Sequence, residues 1–202
     1  MGVCINHRLG AEKQYVKGIL DRAQAFAEKI KEEAKIFKIS VKIERPTDTE
    51  LYVDMDGCET LAFDFNPMSF YEKQAKTGWN YENETLKEMK SLGTDENEEH
   101  YKKYPGQVMY WASSFCKTQY AENIIEHKYI AEIVRMVAGF CKISAVNDEG
   151  DYYFSGVLED ATSAIEENGA LINAIGKQLK GLGYEQDQII KGGETKIKKA
   201  KK

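Results

Sequence analysis

The chain has 202 residues, 42% of them hydrophobic and 30% charged, with a formal charge of −5. That size and balance fit one domain with a sizeable core and exclude global disorder, and the charge is too mild to define a partner. No run approaches 18 apolar residues, so no membrane-spanning helix is expected.

Met1–Gly10 lacks the apolar stretch of a signal peptide. The four cysteines, Cys4, Cys58, Cys116 and Cys141, are therefore expected as free thiols in a reducing, cytoplasmic setting. The first strong element is a helix over about Ala11–Phe37. There Val16, Leu20, Ala23, Ala27, Ile30, Ala34 and Phe37 form one apolar stripe. Lys38–Arg45 alternates, with Ile39, Val41 and Ile43 on one side. Glu50–Met55 and Glu59–Phe65 read as a hairpin around Asp56-Gly57. A three-residue loop would pair Val53 with Leu61 and Leu51 with Phe63.

From Asn66 to Lys117 the periodicity is weaker. Glu82–Leu92 reads as a short helix stopped by Gly93, and Asp95–Tyr104 as a helical stretch ended by Pro105-Gly106. A long, central helix is expected over about Thr118–Lys142, with His127 inside its apolar face as a core histidine. Ile143–Val146 and Tyr152–Phe154 read as a second hairpin, and Glu159–Leu182 as a last helix. Lys191–Lys202 holds six lysines and one glutamate, a net +5, so residues 1–190 carry −10. The reading is an α+β domain over 1–190 with a flexible basic tail over 191–202. Its core is an antiparallel sheet of about five strands flanked by long helices. Ala27–Ser40 and Ala131–Ser144 share Ala, Glu, Ala, Lys, Ile and Ser at matching positions. The chain could thus hold two helix–strand–strand units.

Three groups of residues carry the chemical expectations. Leu51-Tyr52-Val53-Asp54-Met55-Asp56-Gly57 is an apolar strand ending in Asp-x-Asp-Gly. It resembles the first motif of haloacid-dehalogenase-type phosphatases. That resemblance implies a nucleophile at Asp54, a general acid at Asp56 and a divalent cation alongside. Cys58 stands where that family has Thr, and Asp-Gly between alternating runs is also the strongest short hairpin signal. Cys116 precedes the expected long helix, a position that can lower a thiol's pKa. Cys4-Ile5-Asn6-His7 is a C-x₂-H half-site with no second pair, so no metal or other cofactor is assigned.

Half of the 22 aromatic residues fall between Phe65 and Tyr120. Trp79, Tyr81, Tyr104, Tyr110 and Trp111 are the candidate ligand-binding residues, since Tyr and Trp join an apolar body to a polar tip. The expected function is a non-catalytic binding or regulatory protein that recognises a small molecule or protein through this segment. The alternative is a small metal-dependent hydrolase using Asp54 and Asp56, with Cys116 a further candidate. Nucleic acid would be touched only weakly, through the tail, and membranes not at all.

Overall fold

The computed structural model describes residues 3–77, 80–92, 98–118, 124–167, 184–186 and 197–199. The fold is α+β, but two antiparallel sheets replace the single five-stranded sheet expected. The four-stranded sheet has the order β5 (Asn66–Pro67), β6 (Met109–Lys117), β1 (Cys4–Glu12), β7 (Ile143–Asp148). The three-stranded sheet is β2 (Val41–Glu44), β3 (Glu50–Met55), β4 (Leu61–Asp64). Two further strands, β8 (Tyr184–Gln186) and β9 (Ile197–Lys199), pair with each other.

The chain joins the two sheets by bending at Phe65. β4 pairs with β3, and two residues later β5 pairs with β6. A second stitch closes the other end, where the Glu59 N–H donates to the Lys117 carbonyl at 2.8 Å. Both sheets thereby face one core. Ile5, Leu9 and Ala11 of β1 meet Leu51, Val53, Leu61 and Phe63 of the smaller sheet and the apolar faces of two helices.

Those helices are α1 (Lys13–Ala34) and α5 (Ile124–Ala138). In α1, Val16, Leu20, Ala23, Ala27, Ile30 and Ala34 are buried, as the stripe predicted. Its ends differ from expectation. Ala11 belongs to β1, and the helix tightens into a 3-10 turn over Lys35–Phe37, leaving Phe37 exposed. Lys38 then turns left-handed at φ 60°, its N–H reaching the Lys35 carbonyl and that of Ile39 the Ala34 carbonyl, each at 3.1 Å. This is a two-bond helix stop of the kind usually closed by Gly.

The β3–β4 hairpin has the register expected, Val53 opposite Leu61 and Leu51 opposite Phe63. Gly57 has φ 76° and the Cys58 N–H returns to the Met55 carbonyl at 3.2 Å. A left-handed third position is the demand of a type II turn, which Gly meets without strain.

The second expected hairpin is not formed. β7 pairs with β1 instead, and Tyr152–Ser155 is a helical turn, α6. The order strand–helix–strand does recur, as β1–α1–β2 and β6–α5–β7. The closing strands β2 and β7 nevertheless enter different sheets, so the two units are not arranged alike.

The outer face of the larger sheet is covered by α2 (Met68–Thr77) and α3 (Asn80–Ser91). Met68, Met89, Met109 and Trp111 form a second, smaller core there. Gly10 lies opposite Trp111 in the β1–β6 register. A β-carbon on it would sit 3.2 Å from the indole, so the missing side chain makes room for the ring. α4 (Glu98–Lys103) and a 3-10 turn at Pro105–Gln107 follow α3 and lead into β6. Residues 158–167 are helical, matching the start of the last expected helix; its remainder lies outside the described residues.

Candidate functional site

β1 runs straight into α1, and the Lys13 N–H is tied to the Val108 carbonyl at 2.8 Å. This fixes the first turns of α1 beside the start of β6 and beside residues 139–142, which link α5 to β7. The buried stripe of α1 points inward, so Gln14, Tyr15, Gly18 and Arg22 point outward along one face. Phe140 stands across from them.

Two adjoining hollows lie between these walls. One, of about 240 Å³, is lined by Gln14, Tyr15, Gly18, Ile19, Arg22 and Phe140. The other, of about 260 Å³, continues from Tyr15 and Phe140 to Glu12 and Lys142. Tyr15 is 59% and Phe140 48% exposed. The Arg22 guanidinium lies 4.7 Å from the Phe140 ring centre, a distance for cation–π attraction. On the other flank of α1, Lys13 Nζ lies 5.7 Å from the half-buried Tyr110 ring. Tyr104, 44% exposed, precedes the turn whose Gly106 abuts Gln14.

The candidates named from sequence are dispersed. Tyr104 and Tyr110 line neither hollow, and Trp111 is 0% exposed and belongs to the core under α2 and α3. Tyr110 and Trp111 are adjacent strand residues of β6 and so point to opposite sides of the sheet. Trp79 lies outside the described residues, as does the side chain of Tyr81.

Asp54 faces away from the core and accepts from the Thr60 hydroxyl. Asp56 sits in the hairpin turn and accepts the Ser40 backbone N–H at 3.0 Å. Each carboxylate thus has a local partner within the β2–β3–β4 sheet. Cys116 is buried and its thiol donates to the Glu59 carbonyl at 2.9 Å. Burial, with Cys58, Glu59, Cys4 and Asp54 adding to it, pushes that thiol well above its ordinary range and keeps it protonated. Burial and the Glu149 carboxylate raise Cys4 to about 11. Cys4 and His7, three apart in one strand, lie on opposite faces of β1. Among the described residues no group of three or more His, Cys, Asp or Glu is placed to hold a metal ion.

His127 has two partners that the sequence did not single out. Its Nδ1 is 2.6 Å from the Thr118 hydroxyl and its Nε2 is 3.3 Å from Asp148 Oδ1. Asp148 also accepts the N–H groups of Gly150, at 2.8 Å, and Tyr153, at 2.7 Å. Burial alone would raise its pKa; the His127 ring and those two N–H groups outweigh burial and hold it below the usual carboxylate value. Hydroxyl, imidazole and carboxylate stand in the order of a hydrolytic triad. All three are buried, and Gly150 closes over the ring, where a β-carbon would come within 2.7 Å of Nε2. The arrangement ties β6, α5 and β7 together and offers no room for a substrate.

No protein-family model matches the chain, and neither a curated protein nor a solved structure is similar enough to it to inform fold or function.

Proposed function

We propose that this protein is a non-catalytic binding protein that recognises its ligand or partner through the face formed by the first turns of α1 and Phe140. One observation carries the reading: two large aromatic side chains, Tyr15 and Phe140, flank a single hollow while remaining about half exposed. An exposed aromatic pair with a cation against it is the composition of a recognition surface, because such rings bury much area with little loss of side-chain freedom. The walls of the hollow come from α1 and from residue 140, while Tyr110 of the aromatic-rich segment meets Lys13 beside the first turn of α1.

The anionic aromatic dye 8-anilinonaphthalene-1-sulfonate is a direct probe. Its fluorescence should rise saturably on the native protein and lose most of that rise in Tyr15→Ser and Phe140→Ser. Melting temperatures should stay near that of the parent, since both side chains are largely solvent-facing. No rise on the native protein, or an equal rise in both variants, would remove the reading. The hydrolase alternative predicts turnover of p-nitrophenyl phosphate with Mg²⁺ that vanishes in Asp54→Asn. The expected outcome is background turnover in both, because Asp54 accepts from Thr60 across the hairpin and Asp56 accepts the Ser40 N–H just before β2.

A further inference from the structure

A strand at the edge of a sheet turns a row of backbone N–H and carbonyl groups outward. Folded proteins blunt such rows with prolines, lysines, bulges or very short strands. Three of the described edges follow that rule. β5 has two residues, one of them Pro67, and runs straight into α2. β2 has four residues, carries the exposed Lys42 and Glu44 as an ion pair, and is followed by Arg45-Pro46. β4 follows the Glu59–Lys117 stitch and bends through Phe65 into β5.

β7 is different. It is the last strand of the larger sheet, and it pairs with β1 over six residues without a bulge. Ile143–Asp148 holds no proline, lysine or arginine. Its single charge, Asp148, is buried against His127. The Glu149 N–H donates to the Cys4 carbonyl at 3.1 Å, which sets the phase of the ladder. Ile143, Ala145 and Asn147 therefore bond to β1, while Ser144, Val146 and Asp148 turn their backbone groups away from it. Among the described residues no strand lies on that side. Ser144 is exposed and Val146 half-buried, and the Asp148 carbonyl accepts the Asp151 N–H at 3.1 Å.

This row is its own complement. A two-fold axis through Val146 places Val146 opposite Val146, Ala145 opposite Asn147 and Ser144 opposite Asp148, so each outward N–H faces an outward carbonyl. No like charges meet. Carried past the strand ends, the same register brings Lys142 of each copy to the turn of the other, between Glu149 and Asp151. All three side chains are exposed. Within one copy Lys142 reaches Glu12 at 3.6 Å with 66% of its side chain still exposed.

We propose that two copies of this chain pair along β7, antiparallel, joining their larger sheets into one and setting Lys142 of each against Glu149 and Asp151 of the other. The pairing uses neither Tyr15 nor Phe140, so it stands whether or not the groove binds a ligand. Small side chains at Ser144 and Ala145 let the strands approach. Backbone bonds hold the pair, and the charges fix its register and make it salt-dependent.

Sedimentation velocity on the full chain tests it. A monomer–dimer equilibrium with a dissociation constant on the order of ten micromolar is expected, since a single edge pairing is a small interface. Added salt should weaken it. Ser144→Pro should be monomeric with a melting temperature near that of the dilute parent, because the lost N–H faces away from β1 and edge strands tolerate proline there. The Val146 amide should exchange slowly in the concentrated parent and quickly in Ser144→Pro. Lys142→Glu and Glu149→Lys should each dimerise at least tenfold more weakly. An equimolar mixture of these two variants should recover most of the pairing, because both ends of a mixed dimer again carry opposite charges. A monomer up to about 500 μM, a dimer that Ser144→Pro leaves intact, or a mixture that pairs no better than either variant would each overturn the proposal. A dimer kept in Ser144→Pro but lost in Tyr15→Ser would overturn it in favour of a contact through the groove.

Discussion

His7 shows how a single side chain can set the acid limit of a fold. It sits in the core with its ring centre 5.1 Å from that of Phe63. Burial depresses its pKa from 6.5 to about 4, only partly opposed by the Ala62 carbonyl. Between those values the unfolded chain binds a proton that the folded chain does not. Stability therefore falls as pH drops below about 6.5, and this contribution levels off below about 4, at a loss of about 3 kcal/mol. Urea melts of the parent and of His7→Leu across this window should diverge, with the shallower pH slope in the variant. Equal slopes would show that the ring is not held neutral. His127, equally buried, is handled differently. It gains a hydroxyl and a carboxylate as partners, which the helical pattern around it gave no means to foresee because Thr118 and Asp148 lie on other elements.

At the scale of elements, β6 carries the clearest lesson. Met109–Lys117 reads weakly because both faces of its first half, Met109–Ala112, are covered, and burial on two sides removes the polar–apolar alternation that marks a half-exposed strand. Trp111 is the keystone of the outer side, with Met68, Met89 and Met109 around it and its carbonyl accepting the Tyr71 hydroxyl at 2.8 Å. Trp111→Ala should destabilise the fold by about 3–5 kcal/mol, and α2 and α3 should become the first segments to exchange amide hydrogens. A loss under about 1 kcal/mol would mean that the outer core is not holding those helices. In a Trp79→Phe background, acrylamide should quench the remaining Trp111 emission poorly. The α1 stripe up to Ala34 and the Asp56-Gly57 hairpin, by contrast, were legible residue by residue, since each is built from contacts close in sequence.

For the whole molecule, the decisive features are the bend at Phe65 and the stitch at Glu59–Lys117, which turn two sheets onto one core. A shared core predicts one cooperative unfolding transition, with fluorescence and circular dichroism melting together. Deleting Lys191–Lys202 should leave that transition within about 2 °C, because the described part of this segment, β9, pairs with the short strand β8. A drop of many degrees would place the basic segment against the acidic body of the protein.

The sequence by itself determined the α+β class, the buried stripe of α1, the register of the β3–β4 hairpin and the burial of His127. All of these follow from helical or strand periodicity and from turn chemistry within about ten residues. Only the tertiary structure decided that Cys4–Glu12 is a central strand, because its inward row of Ile5, His7, Leu9 and Ala11 includes a histidine and is broken into α1 without a turn. It alone decided that β7 pairs with β1, that Thr118 and Asp148 meet His127, and that Tyr15, Gly18 and Arg22 face Phe140 more than a hundred residues away. Such pairings depend on which surfaces the completed core leaves opposite one another, and local spacing carries no record of that.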